Sequence, residues 1–287
     1  MTGGAIGVTT GAIMRAIPIA LLLLLAAAAP APDTPIPETP AAGPVRVIGS
    51  QNAGCIAGAV RLPDTAPGLQ TIRLSRSAFW GHPDTIATLL RLGAEARAAG
   101  LPDLYMGDIS GPRGGPLRGG HVIHQMGIDA DVWLDVAPPH PVLPAEAREA
   151  IEPPGLVRPD GRAVDPALWR PGHLTLLHLA AGLPRVDRIL VNPAIKKQLC
   201  QQATGDRAWL RLIRPWWGHT SHMHIRFRCP DDQPACVQAP PPPPGEGCDA
   251  TLDWWFSQPE APAKPATPPA GPPPLPAACR AILGAAP

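Results

Sequence analysis

Residues Gly119–Leu134 read GGHVIHQMGIDADVWL, and the periodicity of this stretch decides the fold. From Ile128 the residues alternate, with Ile128, Ala130, Val132 and Leu134 on one side and Asp129, Asp131 and Trp133 on the other. A period of two with one apolar side is that of a strand laid on a core. Asp131 therefore projects from the side opposite the core, toward a cleft. His124 stands seven residues before Asp131, and His121 three before His124. Gly127 permits a tight turn that would bring His124 back over the strand.

A second stretch, Arg214–Pro230, reads RPWWGHTSHMHIRFRCP. Strand alternation puts His222, His224, Arg226 and Arg228 on one face, and Met223, Ile225, Phe227 and Cys229 on the other. Two imidazoles at i and i+2 reach one metal ion, and His219 lies just upstream. A catalytic zinc takes three protein nitrogen or oxygen ligands and keeps a position for water. It acidifies that water and polarises a carbonyl. His124, Asp131 and one of His222 or His224 make such a set, and the remaining histidine is left as a base. Taken singly, each histidine reads as structural or surface, the aspartates read as solvated, and an HxH pair alone is a weak signal. The reading rests on five of the nine histidines falling into these two runs beside strand-borne aspartates.

Other chemistries fit poorly. There is no GxSxG elbow. Asp129 and Asp131 are too close together for a glycosidase pair. The loop Gly107–Gly120, GDISGPRGGPLRGG, lacks the GK[ST] of a phosphate loop and reads as a flexible wall over the site. Its Arg113 and Arg118 either bind a substrate carboxylate or remain solvated loop charges. A formal net charge of +1 gives no field that would favour nucleic acid or an anionic membrane.

Outward from the motifs, the clearest helix is Thr85–Ala99, started by His82-Pro83-Asp84 and stopped by Gly100. Leu174–Ala181 and Ala194–Gln201 read as two more helices. Tyr105–Ile109, Ile128–Leu134, Arg188–Val191 and His222–Arg228 read as strands. Without a regular βαβ rhythm, the fold class is α+β: a small antiparallel or mixed sheet with flanking helices around one zinc site. The 42 prolines and 29 glycines make the chain loop-rich. Eight of the twelve aromatic residues are tryptophan, more often core than cleft lining.

Residues 1–30 read as a signal peptide: Arg15, then the apolar Ile17–Ala29, then small residues. The apolar run is short for a membrane span, so no stable span is expected after processing, the alternative being an uncleaved anchor. Residues 31–45 read as a proline/alanine linker, 46–230 as the domain that carries the zinc site, and 231–287 as a cysteine- and proline-rich tail. Six cysteines in an exported chain suggest three disulfides, with fifteen pairings open.

At these motifs the chain resembles the penicillin-insensitive murein endopeptidases. The resemblance runs from GCIAGAVRLP (54–63) through FWGHPD (79–84), GDISGPRGG (107–115) and VNPAIKKQLC (191–200) to PPPPGEGC (241–248), with both histidine stretches between. It implies the zinc fold of the lysostaphin, D-Ala-D-Ala peptidase and sonic-hedgehog type. It also implies a periplasmic enzyme that cuts the D-alanyl–meso-diaminopimelyl cross-bridge of peptidoglycan. By position it makes His124, Asp131 and His224 the zinc ligands, His222 the base or transition-state stabiliser, His219 a donor lining the site, and His121 a further metal contact. It implies the pairs Cys55–Cys279, Cys200–Cys248 and Cys229–Cys236, the first tying the tail back, and it leaves room for a homodimer. A second metal would draw on His121 and Asp160, but Ala163 stands where relatives carry a histidine, so one ion is expected. Two rivals remain: a zinc D,D-carboxypeptidase or dipeptidase on free stem peptides, and a non-catalytic peptidoglycan-binding protein.

Overall fold

The computed structural model describes residues 1–4, 37–117, 122–137, 140–258 and 273–284. His121 and Arg118 lie outside the described residues, as do residues 5–36. The chain divides into Met1–Pro35, of which only residues 1–4 are described, and Ile36–Pro287.

In chain order the strands are β1 (Arg46–Ser50), β2 (Ala53–Ala57), β3 (Val60–Arg61), β4 (Thr65–Ala66), β5 (Leu69–Thr71), β6 (Trp80–Gly81), β7 (Leu104–Met106), β8 (Asp129–Trp133), β9 (Val186–Val191), β10 (Ile213–Pro215) and β11 (His222–Phe227). The helices are α1 (Pro83–Ala98), α2 (Ala145–Ala150), α3 (Pro171–Ala181), α4 (Pro193–Gln202), α5 (Ala250–Ser257) and α6 (Ala277–Leu283). Seven strands form one mixed sheet in the order β10-β9-β11-β8-β7-β5-β4. β10 runs parallel to β9 and β5 parallel to β7, and the other neighbours are antiparallel. The fold is α+β, as the irregular mix of elements implied.

The two motif strands lie side by side at the centre of this sheet. β8 and β11 pair antiparallel with His224 opposite Asp131, His222 opposite Trp133 and Arg226 opposite Asp129. Their apolar residues Ala130, Val132, Met223, Ile225 and Phe227 are all buried in the main core. Burying one face of each strand fixes this register, because a slip of one residue would turn the histidines inward. Helix α1 adds Ile86, Leu89, Leu92 and Ala96 to the same core, a spacing that marks one face of a helix. It starts two residues earlier than the spacing predicts, because Pro83 suits a first turn and His82 Nδ1 accepts from Asp84 N at 3.2 Å.

The C-terminal segment is built into the body. Cys55 of β2 bonds to Cys279 of α6, Cys200 of α4 to Cys248, and Cys229 to Cys236. Gly49 N donates to Ala235 O and Val237 N to Gly49 O, so the chain around Cys236 lies along β1. A polyproline stretch has no internal hydrogen bonds and leaves its carbonyls open. Here Arg211 takes Pro242 O and Pro243 O, and Arg188 takes Pro240 O. Among the described residues no helix is long and apolar enough to cross a membrane.

Helix α4 carries an unusual burial. Asn192 caps it by accepting from Ala194 N, and Lys196 one turn on is completely buried. Lys196 Nζ donates to Leu210 O at 2.7 Å and to Glu246 O at 2.6 Å. Burial, helped by the nearby Arg214, lowers its pKa to about 7. Between that value and the ordinary 10.5 the unfolded chain holds a proton that the folded chain does not. Stability tied to this group is therefore full above the unfolded pKa and lost as pH falls toward 7. The melting temperature should rise between pH 7 and 9.5, and Lys196→Met should flatten that rise. An unchanged slope in the variant would remove Lys196 as its source.

Candidate metal centre and cleft

His124 reaches the sheet through a strained turn. Its own φ is +69°, and Gly127 follows with φ +65°. A Cβ at Gly127 would lie 2.8 Å from Gly81 Cα, so the turn admits only glycine there. Gly127 O accepts from His82 N, and Gln125 Oε1 accepts from Gly54 N. These bonds pin the turn so that His124 Nε2 lies 3.3 Å from Asp131 Oδ2. His224 Nδ1 lies 2.9 Å from Asp131 Oδ1, and His222 Nε2 lies 3.8 Å from Asp131 Oδ2. One carboxylate thus faces one nitrogen from each of three imidazoles.

Asp129 occupies the other side of the same histidines. Its Oδ1 is 3.2 Å from His124 Nδ1 and its Oδ2 is 3.6 Å from His224 Nε2. His124, Asp129 and His224 form a buried group with ligand atoms close enough to hold an ion. Two carboxylates therefore compete for the imidazoles, and exposure separates them. Asp129 is buried at 1%, whereas Asp131 lines a cavity of about 200 Å³ with His222. A catalytic ion needs an open position, which only the Asp131 side offers. Asp129 Oδ2 is buried without a hydrogen-bond partner among the described residues. Arg226 stands beside it, its Nε donating to His224 Nε2 at 3.3 Å, and balances the charge of Asp129.

The electrostatics match a site built for a cation. Burial pulls the His124 imidazole down, but Asp129 and Asp131 together hold it well above its ordinary value. Burial pushes the Asp131 carboxyl up, and the surrounding His124, His224 and His222 hold it well below. His222 and His219 are lowered, chiefly by burial, so both are neutral near pH 7. Their rings lie 5.0 Å apart. His219 donates from Nδ1 to Trp217 O at 2.8 Å, so the neutral ring presents a bare Nε2, an acceptor. It can act there as a donor only when protonated. Asn192 Nδ2 donates to Gly218 O and Asn192 N to His219 O. The cap of α4 thereby positions the His219 loop, where φ is +49° at His219 itself.

Arg113 does not face the cleft. It is buried under α6, donating to Thr39 O, Ile282 O and Leu283 O. The C-terminal helix covers a loop that the sequence left open, so Arg113 is an anchor rather than a substrate group. Among the described residues Arg73 and Arg76 line the cavity with Asp131, Trp133 and His222. Arg73 precedes and Arg76 ends a 3-10 turn, Leu74–Arg76, with φ +53° at Arg73 and φ +49° at Ser77 on either side of it. Positive φ is costly for such residues and survives only where surroundings enforce it. Arg76 Nη1 pairs with Asp108 at 2.7 Å, and Arg73 Nη2 with the exposed Glu152 at 2.5 Å. Asp160 is exposed, bonded to Arg158 and to Arg162 N.

Known proteins resemble this chain over most of its length. Residues 47–284 match the family described as penicillin-insensitive murein endopeptidase. A protein of that name from Klebsiella pneumoniae subsp. pneumoniae is 42% identical over 276 residues, 94% of this chain and 98% of its own. One from Haemophilus influenzae is 45% identical over 251 residues, 87% of this chain and 85% of its own. One from Escherichia coli O1:K1 is 42% identical over 274 residues, 94% and 98% of the two chains.

Proposed function

The chain belongs to the penicillin-insensitive murein endopeptidases, a metallopeptidase family, and from that premise we propose how it cuts the peptide cross-links of peptidoglycan. The bond is the D-alanyl–meso-diaminopimelyl amide, the ion is a single zinc, and the compartment is the periplasm. Three disulfides and the signal-like leader support an oxidising compartment. By the same reading, residues 1–30 are the leader, 31–45 the linker, and 46–230 the peptidase domain, with 231–287 as its tail.

The observation that carries the mechanism is the convergence of His124 Nε2, His224 Nδ1 and the Asp131 carboxylate beside an accessible His222. These three residues would hold the zinc. When bound, zinc supplies Lewis acidity, polarising the D-alanyl carbonyl and acidifying water. His222, neutral and on the cleft wall, takes the proton from the attacking water and passes it to the leaving amine. His219, its Nδ1 proton held by Trp217 O, lines the site as an acceptor at its bare Nε2 and takes a hydrogen bond from the attacking water or the leaving amine. The amine leaves from a carbon that also bears a carboxylate, and Arg73 and Arg76 take that group. Arg76→Gln should raise KM about 10–100-fold, the worth of a hydrogen bond to a charged group, with kcat changed far less. An unchanged KM would remove Arg76 from the substrate site.

Asp129 orients the His124 imidazole from behind, at Nδ1, and lies beside that of His224. Asp129→Ala should weaken zinc binding about 10–100-fold, as such supporting groups do. Asp131→Ala should lose zinc outright. The reverse order, read by competition with a chelating dye, would exchange their roles.

The test of the function is a digest of purified cross-linked muropeptide dimers, followed by mass spectrometry. Conversion of dimers to monomers that stops with chelator and returns with zinc supports the endopeptidase. Intact dimers that lose only a terminal D-alanine would make the protein a carboxypeptidase.

A further inference from the structure

Four of the eight tryptophans gather at one place on the surface, outside the metal centre. Trp216 and Trp217 come from the loop after β10, and Trp254 and Trp255 from α5. Trp255 sits in the middle, its ring centroid 6.0 Å from Trp216, 5.1 Å from Trp217 and 5.4 Å from Trp254. The two outer rings are half open to solvent, Trp216 at 52% and Trp254 at 53%. Exposed indoles gathered in this way mark a binding surface more often than a scatter of single side chains does.

The cluster is held rigidly. The Cys200–Cys248 disulfide fastens the chain before α5 to α4, and Asp249 caps α5 by accepting from Thr251 N. Lys197 of α4 lies 4.9 Å from the Phe256 ring. Beside the rings is a cavity of about 210 Å³ in which Trp217, Trp255 and Phe256 meet the polar Asp160, Arg162 and Asn192. Aromatic faces with hydrogen-bonding groups at their rim suit a pyranose, which has an apolar C–H face and a belt of hydroxyls.

The loop that bears Trp216 and Trp217 leads into the cleft. Trp217 O holds His219 Nδ1, and the His219 ring is 5.0 Å from that of His222. A cross-linked peptide hangs from its glycan strand by only a few residues. At about 3.3–3.6 Å per residue, the strand must pass within roughly 10–15 Å of the bond being cut. We propose that the Trp216–Trp217–Trp254–Trp255 surface binds the amino-sugar backbone of peptidoglycan, holding the strand whose peptide enters the cleft. This inference rests on the murein reading above. It names a carbohydrate site separate from the peptide site.

The test titrates the full chain with peptide-free glycan strands, prepared from sacculi with an amidase, by calorimetry and tryptophan fluorescence. Saturable binding is expected, and it should persist after chelation, since neither zinc nor peptide is involved. Trp216→Ala and Trp254→Ala should each weaken it about three- to tenfold, the worth of one aromatic stacking contact. Both rings are half exposed, and circular dichroism would verify that the variants fold. No saturable binding, or variants that bind like the parent, would overturn the proposal. So would sedimentation showing a dimer that Trp254→Ala dissociates, because the patch would then belong to a second copy. Cleavage of soluble muropeptide dimers is scored separately. Active protein that ignores glycan strands refutes the carbohydrate site alone, and inactive protein that binds them refutes only the catalytic reading.

Discussion

Replacing His224 with alanine is expected to abolish cleavage of cross-linked muropeptide dimers and to strip zinc from the purified protein. His224 is completely buried, lies opposite Asp131 across the β8–β11 pair, and brings Nδ1 to 2.9 Å from that carboxylate. With it gone, two protein ligands remain, too few for tight binding of a catalytic zinc. A catalytic ion contributes several kcal/mol to the transition state. At about 1.4 kcal/mol per factor of ten, the rate should fall by about 10³–10⁴ or more. The variant also leaves Asp131 with fewer partners, so its fold must be checked by circular dichroism and its zinc measured directly. A folded variant that keeps stoichiometric zinc and near-normal turnover would remove His224 from the ligand set.

His222→Ala separates binding from chemistry. His222 stands two residues along the same strand, at the cavity wall, with its Nε2 3.8 Å from Asp131. Burial keeps its imidazole neutral near pH 7, the form a base requires. Zinc content should match the parent, and KM should change little. Turnover should fall about 10²–10⁴-fold, the usual contribution of a positioned acid–base group. Full turnover by a folded, zinc-loaded variant would sink the assignment. Loss of zinc together with activity would move His222 into the ligand set.

The centre of this site was legible because it lies on two strands whose period of two sorts their side chains. Alternation alone put Asp131, His222 and His224 on a common face away from the core, and the β8–β11 pairing follows that sorting. Alternation could not say which imidazole nitrogen each aspartate would meet, so the backing position of Asp129 was missed. Arg73 and Arg76 were missed for a different reason. Their approach to the cleft depends on the parallel β5–β7 pairing and on positive φ at Arg73 and Ser77, which no local pattern signals. Arg113 was misread because a glycine-rich loop suggests exposure, whereas its burial comes from α6, about 170 residues away in sequence. Helices α5 and α6 were hidden by the prolines around them. Their boundaries are set by the Asp249 cap and by packing of Cys279 and Ile282 against β2, which are tertiary facts.

The three disulfides are arranged like brackets within brackets. Cys229–Cys236 lies inside Cys200–Cys248, which lies inside Cys55–Cys279. On the export route proposed above, a chain that crosses a membrane amino end first presents its thiols to an oxidant in order. Joining each cysteine to the next would give 55 with 200, 229 with 236, and 248 with 279. Only the middle bond of that series belongs to the final fold. The first thiol to emerge must wait for the last, or be released from a wrong partner by thiol–disulfide exchange. On that route the fold is completed either by holding the first thiol back or by reshuffling it, and the segment that buries Arg113 is fastened only when nearly the whole chain has crossed.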